Sequence, residues 1–393
     1  MSNSPESSLP AMKIRGKELL PVVQGGMGVG VSAHRLAGHV AEQNAVGTIA
    51  SVDLRRLHPD LMEETGRSRD RAAIERANLT ALDREIRGAL DIAKGMGMVA
   101  VNIMRAVTQY IDFVRQSCES GANAIVMGAG LPLDLPDLAK DYPNVALIPI
   151  LSDVRGVGLL VKKWMRKNRL PDAVVIEHPK HAGGHLGAAK IADVGDPRFD
   201  FDVVVPGVLQ TFRELEIESE AIPVIAAGGI NSYEKVRQVL DYGAAGVQVG
   251  TAFAVTEEGD AHPTFKRVLA DAQPEDIVTF MSAAGLPARA VKTPWLANYL
   301  KREQKLMEAA ADKDHRCTLA WDCLLQCGLR DSLVKAGQFC IDNHLAAALR
   351  GDLEKGLFFR GSESLPFGNA IRPVRELIRY LTTGIMPAGL QRA

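Results

Sequence analysis

Eight short apolar segments recur through the first 250 residues, and segments with helical periodicity separate them. Each is apolar throughout rather than alternating, which is typical of strands in a parallel sheet that helices cover on both faces. The segments span residues 19–24, 45–51, 98–104, 124–128, 146–152, 173–177, 223–227 and 246–250. Eight strand–helix units predict an α/β fold of the (β/α)8 TIM barrel type, with a doubly wound open sheet as the alternative.

Glycines at the last two predicted strands favour the barrel. Barrel proteins bind phosphate groups in the loops after the seventh and eighth strands. Here Ala227, Gly228 and Gly229 end the seventh segment, and Gly250 and Thr251 end the eighth. Glycine lets backbone N–H groups approach an anion closely, and a following helix adds its positive end. The pattern predicts a phosphate-bearing cofactor or substrate, with glycines needed only for tight turns as the alternative.

The segment after Thr256 has a different character, with no clear strand and several helical patterns. Those patterns lie at residues 262–272, 295–311 and 332–350, and the last ends at a glycine that would stop a helix. We therefore expect a barrel core at residues 1–255 and an appended helical C-terminal region at 256–393. Part of that region would cover the mouth of the site.

Charge and hydropathy exclude several classes of function. The chain carries 46 Lys and Arg against 47 Asp and Glu, a net charge of −1, so no global field draws it to nucleic acid or to an anionic membrane. Residues 1–10 are polar and lack the apolar core of a signal peptide. No apolar run approaches the roughly 20 residues that span a bilayer. We expect a soluble cytoplasmic protein.

A histidine lies among glycines after the sixth predicted strand, in the sequence AGGHLG at residues 182–187. Glycines such as Gly184 let the main chain approach a ligand, because no Cβ intervenes. His185 would then stand at the ligand with a pKa near neutrality, suited to moving a proton. A surface turn with an incidental histidine is the alternative, which the glycine pairs downstream disfavour.

Other predicted strands also end in glycine or amide residues, and in a barrel all these ends meet at one mouth. They are Gln24, Gly25, Gly26 and Met27 after the first strand, Asn102 in the third, Gly128 and Gly130 after the fourth, and Gln248 in the eighth. Glycine beside Gln24 would let the main chain lie against a flat ring, while the amide both donates and accepts hydrogen bonds. Turn residues and core packing are the alternative.

Taken together, these segments resemble the FMN-dependent nitronate monooxygenases, once called 2-nitropropane dioxygenases, and their relatives, the flavin-containing enoyl-ACP reductases. The matching segments are PVVQGGM at 21–27, VNI at 101–103, AGGHLG at 182–187, PVIAAGGI at 223–230 and GVQVGTAF at 246–253. They cover most of the predicted barrel in family order. The loop 177–181 departs from the family by one additional residue and two histidines, which leaves open the role of Glu177 and which histidine reaches the substrate.

The resemblance implies FMN as the cofactor and a set of residues that would bind it. Those residues are Gly228, Gly229, Gly250 and Thr251 at the phosphate, Gln24, Gly25, Gly26, Met27, Asn102 and Gln248 at the isoalloxazine, and Gly184 and Ala227 beside them. His185 would be the catalytic residue. Where a neutral nitroalkane is the substrate, His185 would remove its α-proton.

The implied reaction is the oxidation of alkyl nitronates by O2 to a carbonyl compound and nitrite. An NAD(P)H-dependent flavin oxidoreductase of the enoyl-ACP reductase or quinone reductase type would use the same flavin site. A flavin-free barrel that binds a sugar phosphate, as a lyase or isomerase, is a third alternative. A binding module without turnover is a fourth, and the convergence of glycine loops on one histidine disfavours it.

Four of the five cysteines, Cys317, Cys323, Cys327 and Cys340, fall in one stretch of the C-terminal region. Four thiolates are the number that a zinc or iron–sulfur site needs. Their spacing matches no standard C-x₂-C pattern, and Cys323 and Cys327 would share one face of a helix. We expect packed thiols and no metal, with a metal or cluster site as the alternative.

Overall fold

The computed structural model describes residues 7–218, 220–310, 317, 319, 321 and 323–390. Within them the backbone forms thirteen strands and fourteen α-helices. The strands are β1 (Met12–Ile14), β2 (Lys17–Leu19), β3 (Val22–Gln24), β4 (Val46–Ala50), β5 (Met98–Met104), β6 (Ala124–Gly128), β7 (Ala146–Leu151), β8 (Val174–Glu177), β9 (Gly184–His185), β10 (Val224–Ala227), β11 (Gly246–Val249), β12 (Ile277–Met281) and β13 (Pro287–Val291). The helices are α1 (His34–Glu42), α2 (Pro59–Thr65), α3 (Arg71–Ala93), α4 (Tyr110–Glu119), α5 (Leu135–Leu138), α6 (Val154–Met165), α7 (Phe201–Glu214), α8 (Tyr233–Asp241), α9 (Thr251–Ala254), α10 (Pro263–Asp271), α11 (Pro294–Leu300), α12 (Glu303–Glu308), α13 (Ile341–Leu349) and α14 (Val374–Thr383).

Eight of these strands close into a parallel barrel. They follow one another around the ring in chain order, from β3 to β8 and then β10 and β11, and β11 pairs with β3 to close it. The predicted (β/α)8 barrel is therefore confirmed. Seven predicted strands match the observed bounds to within one residue. The first, 19–24, is instead divided between β2 and β3, because Pro21 has no N–H to donate to a strand ladder.

The hairpin of β1 and β2 closes the bottom of the barrel. Its apolar side chains Met12, Ile14 and Leu19 are buried against the residues that fill the barrel interior. Most of those interior residues are small or branched, such as Ala100 and Val126, and they fill the ring as in other eight-stranded barrels. A ligand site is therefore left to the opposite end, where the C-terminal ends of the strands meet.

Helices cover the outside of the barrel, and one buried carboxylate connects several of them. Glu85 of α3 lies 2.6 Å from Nδ1 of His34, which begins α1, and 2.9 Å from Nε2 of His58, which precedes α2. Burial opposes its charge, but the hydrogen bonds from these histidines lower the pKa of Glu85 to about 2. In the part of the chain that the structure describes, no helix is long and apolar enough to cross a membrane.

The C-terminal region contains strands, which the sequence analysis did not predict. β12 and β13 pair antiparallel, and β13 also pairs with β9, so that Ala288 lies opposite His185. The expectation of a region without strands was wrong, because this sheet forms partly by pairing with β9, which lies in a loop far earlier in the chain. Helices are also shorter than predicted: α11 and α12 are separate, and only α13 forms within 332–350. Residue 311 lies outside the described residues, and the division at residue 255 stays a prediction.

Candidate active site

A cavity of about 300 Å³ opens at the C-terminal end of the barrel. It brings together nearly all the residues that the sequence analysis selected. Those that line it are Gly25, Gly26, Met27, Asn102, Gly128, Gly184, His185, Ala227, Gly228, Gly229, Gln248, Gly250 and Thr251. Its size is within the range of small-molecule and cofactor pockets.

Gln24 and Gly130 do not line this cavity. The Gln24 side chain is fully buried, with its amide oxygen accepting from the Thr48 N–H at 2.8 Å and its nitrogen donating to the Thr48 carbonyl at 3.1 Å. These bonds hold β3 against β4. The expectation that Gln24 lines a ring was therefore wrong, since its hydrogen-bonding groups are used between the strands.

The glycines after β10 adopt a backbone that other residues rarely adopt. Gly228 and Gly229 have φ of 99° and 76°, in the region that favours glycine. A Cβ on Gly229 would also lie 2.8 Å from the Cβ of His181. At the neighbouring strand end, α9 begins at Thr251, so its first N–H groups have no partner within the helix. Backbone donors from two adjacent strand ends thus face one end of the cavity.

Two amide side chains form the floor beside these glycines. The Gln248 oxygen Oε1 is buried and has no hydrogen-bond partner among the described residues. Asn102 donates from Nδ2 to the Val126 carbonyl at 3.2 Å. A Cβ on Gly26 would lie 2.3 Å from the Asn102 Cβ, so glycine is needed there for β3 and β5 to keep this spacing. An unpartnered acceptor on a cavity wall is suited to a ligand N–H.

His185 is positioned from three sides. Its backbone belongs to β9 and pairs with β13, its Nε2 lies 3.1 Å from Oγ of the buried Ser282, and its ring lies 5.8 Å from that of Phe359. Burial lowers the pKa of His185 to about 4. The expectation of a pKa near neutrality was therefore wrong, and the imidazole is neutral at physiological pH.

Glu177 ends β8 and also lines the cavity. Burial raises the pKa of its carboxyl group to about 7. Its Oε2 lies 3.6 Å from the position that a Cβ on Gly187 would take. The carboxyl group therefore packs against the loop that carries His185.

A segment near the C-terminus closes the side of the cavity that the glycines after β10 and β11 form. This strap, residues 359–366, contributes most of its residues to the lining. Its Gly361 N–H donates to Oγ1 of Thr251 at 3.1 Å, and Glu363 lies 2.9 Å from Nδ1 of His181 and 2.8 Å from Nζ of Lys235. The sequence analysis did not identify the strap, because no strand or glycine pattern marks it as part of the barrel mouth.

The two additional histidines of the 177–181 loop differ in position. His181 lines the cavity and contacts the strap, whereas His178 is buried beside it, with Nε2 3.1 Å from Oδ1 of Asp200. Burial lowers the pKa of both rings. Of the three histidines near the glycine loop, His181 and His185 therefore face the cavity.

A second group of lining residues is mostly apolar, although Cys323 and Asp342 lie among them. Its residues come from the loops after β3, β4 and β5 and from the C-terminal region. They are Val29, Val31, Val52, Val107, Leu324, Ile341 and Leu345. This surface is suited to the hydrocarbon part of a ligand.

The C-terminal cysteines form no disulfide. Among the described residues, no group of three or more His, Cys, Asp or Glu side chains is placed to hold a metal ion. Cys323 lines the cavity, Cys327 is buried, and neither lies in a helix, so the expected shared helix face was wrong.

Comparison with known proteins identifies the family. The family model "Nitronate monooxygenase" matches residues 14–384. A "Probable nitronate monooxygenase" of Bacillus subtilis (strain 168) is 28% identical over 287 residues, which is 70% of this chain and 77% of that protein.

Two solved structures share the fold. FabK from Thermotoga maritima has a TM-score of 0.60 at 22% identity, covering 92% of this chain and 91% of its own. Nitroalkane oxidase from Streptomyces ansochromogenes has a TM-score of 0.61 at 19% identity, covering 92% and 94%. With a family model that spans nearly the whole sequence and a cavity built from the motifs described above, this chain belongs to the nitronate monooxygenase family of oxidoreductases.

Proposed function

We propose that this protein is an FMN-dependent nitronate monooxygenase, which oxidises alkyl nitronates with O2 to a carbonyl compound and nitrite. One observation carries the proposal: a glycine cradle, an unpartnered amide oxygen and a half-buried neutral histidine line the same cavity. Membership of the family supports the reaction class.

The residues present fit FMN. Positive φ at Gly228 and Gly229 leaves a concave backbone without side chains, and the first N–H groups of α9 lie at the adjacent strand end. No Lys or Arg is found among the described lining residues, so backbone N–H groups would hold the phosphate. Oε1 of Gln248 would accept from an N–H of the flavin ring. FMN supplies the one-electron oxidation and the reaction with O2, which no side chain provides.

The side chains bind and orient the substrate. His185 is neutral at physiological pH, so its imidazole donates or accepts a hydrogen bond without adding charge. Ser282 fixes the ring through Nε2. The apolar side would take the alkyl group and exclude water. A small nitronate with an alkyl group has a polar part and an apolar part that match these two kinds of lining residue.

Spectroscopy of the purified protein tests this proposal. We expect two flavin absorption bands that are bleached under anaerobic conditions by ethyl nitronate and not by NADH or NADPH. In air, the same mixture should release one nitrite for each nitronate consumed.

Two outcomes would contradict the proposal in different ways. Rapid bleaching by NAD(P)H, without nitrite release from the nitronate, would assign a flavin reductase of the enoyl-ACP or quinone type. A colourless protein that binds no added FMN would leave a barrel with a phosphate site and no flavin.

A further inference from the structure

A second cavity, of about 490 Å³, adjoins the first at the strap. Three strap residues, Glu363, Ser364 and Leu365, line both cavities. The rest of its lining comes from the strap, the end of α10, the start of β12 and the residues that follow the strap. The glycines after β10 and β11 do not line it, so it is separate from the proposed flavin site.

Arg360 is a buried cation in the lining of this second cavity, with only 3% of its surface exposed. Its Nε donates to the Leu269 carbonyl at 2.8 Å. Its Nη1 donates to the carbonyls of Gly361 at 2.9 Å and Glu363 at 3.1 Å. These bonds hold the guanidinium between α10 and the strap. Among the described residues Nη2 has no hydrogen-bond partner, and protein does not enclose it completely, so two N–H groups remain available to a ligand.

The positive charge of Arg360 has no counter-ion among the described residues. A buried guanidinium is unfavourable without one, because carbonyl groups carry only partial charges. Two carboxylates line the same cavity, and neither forms an ion pair with Arg360. Glu363 is bonded to Nδ1 of His181 and Nζ of Lys235, and Asp271 is exposed. An anion from solution would therefore supply the missing charge.

The lining favours a small phosphate over a nucleotide. Arginine binds phosphate oxygens through parallel N–H groups. The Ser364 hydroxyl and the Asn369 amide are further hydrogen-bond donors in the same lining. No aromatic side chain is found among the described lining residues, so a nucleotide base would have no ring to stack on.

We propose that the second cavity binds a small phosphate, either inorganic phosphate or a phosphate monoester, whose oxygens accept hydrogen bonds from Nη2 of Arg360. The site goes beyond the proposed function and does not depend on which cofactor occupies the first cavity. The structural alternative is that Arg360 only satisfies the last carbonyls of α10.

Calorimetric titration of the purified protein tests the site, with its flavin content measured beforehand. Inorganic phosphate and glycerol 3-phosphate would be titrated separately at neutral pH, with the ionic strength held constant by sodium chloride. We expect saturable binding. Tighter binding of the monoester would identify an organic phosphate as the ligand, and equal affinities would identify free phosphate. Arg360→Met should weaken binding by about 10- to 150-fold, as expected for the loss of a hydrogen bond to a charged group.

A second variant keeps Arg360 and its bonds to the carbonyls. Asn369→Asp adds a carboxylate to the lining of the second cavity only, so it should weaken phosphate binding by repulsion. Asn168→Asp, at an exposed residue outside both cavities, is the matched control and should bind phosphate as the wild type does.

The assignment is wrong if the wild type shows no saturable binding of either compound. It is also wrong if Asn369→Asp binds phosphate as tightly as Asn168→Asp. Loss of stability in Arg360→Met together with that result would show that Arg360 only holds the end of α10. Unchanged affinity in Arg360→Met would place the bound phosphate elsewhere.

Discussion

Replacing Glu177 by Gln should stabilise the protein at alkaline pH and have a much smaller effect at acidic pH. Burial raises the pKa of the carboxyl group from its ordinary 4.5 to about 7. The folded state then binds a proton more tightly than the unfolded state, so the contribution of Glu177 to stability falls as pH rises from 4.5 through 7. The full penalty for ionising the buried carboxyl group is about 3.4 kcal/mol. About 0.8 kcal/mol of it is reached at pH 5, and nearly all at pH 8.5.

The measurement is the free energy of unfolding of wild type and Glu177→Gln apoprotein in urea, at pH 5 and at pH 8.5. The difference between the two proteins should change by about 2.6 kcal/mol in favour of the variant at the higher pH. Every other titrating group is common to both proteins and cancels. A difference that is the same at both pH values would show that the carboxyl group is solvated in the folded protein, and would refute this reasoning.

Gly229→Ala should weaken FMN binding and lower the free energy of unfolding by about 1–3 kcal/mol. The reason is that φ is 76° and the new Cβ would lie 2.8 Å from a histidine side chain. Flavin fluorescence titration checks the binding against Gly195→Ala, where nothing lies within 4 Å of the added Cβ. Glu85→Gln should lower the free energy of unfolding by about 3 kcal/mol at pH 7, since the lowered pKa of this carboxylate stabilises the fold above pH 4.5. The difference from the wild type should shrink as pH falls towards 2. A difference that does not depend on pH would contradict the prediction. Gly47→Ala should prevent folding, because its Cβ would lie 1.9 Å from a carbonyl oxygen of α1; a wild-type melting temperature would refute this packing.

The barrel was predictable because its strands carry a local signal. An apolar run followed by glycine marks strands such as β6 and β10 without knowledge of their neighbours. The signal is weaker for β12 and β13. β12 is an apolar run, IVTFM, without a glycine directly after it, and β13 is PARAV, which also pairs with β9, a two-residue strand in a distant loop. Sequence patterns report local periodicity and do not predict which distant short strands pair with each other.

The residues at the strand ends of the site were predictable for a similar reason. Glycines and amides at strand ends were brought together as expected, because the barrel collects all the strand ends at one mouth. The pKa of His185 was not predictable, because it depends on burial by Phe359 and Ser282, which come from the C-terminal region. Gln24 was misassigned because the sequence does not show whether an amide bonds to a ligand or to the next strand.

The strap has a consequence for how the protein is made. The last barrel strand ends at Val249, whereas the cavity wall continues to Pro366. During synthesis the ring of strands is thus fully translated well before the segment that bonds to Thr251 and His181 leaves the ribosome. A ligand in this cavity would therefore be closed in by the strap only after the whole barrel has emerged.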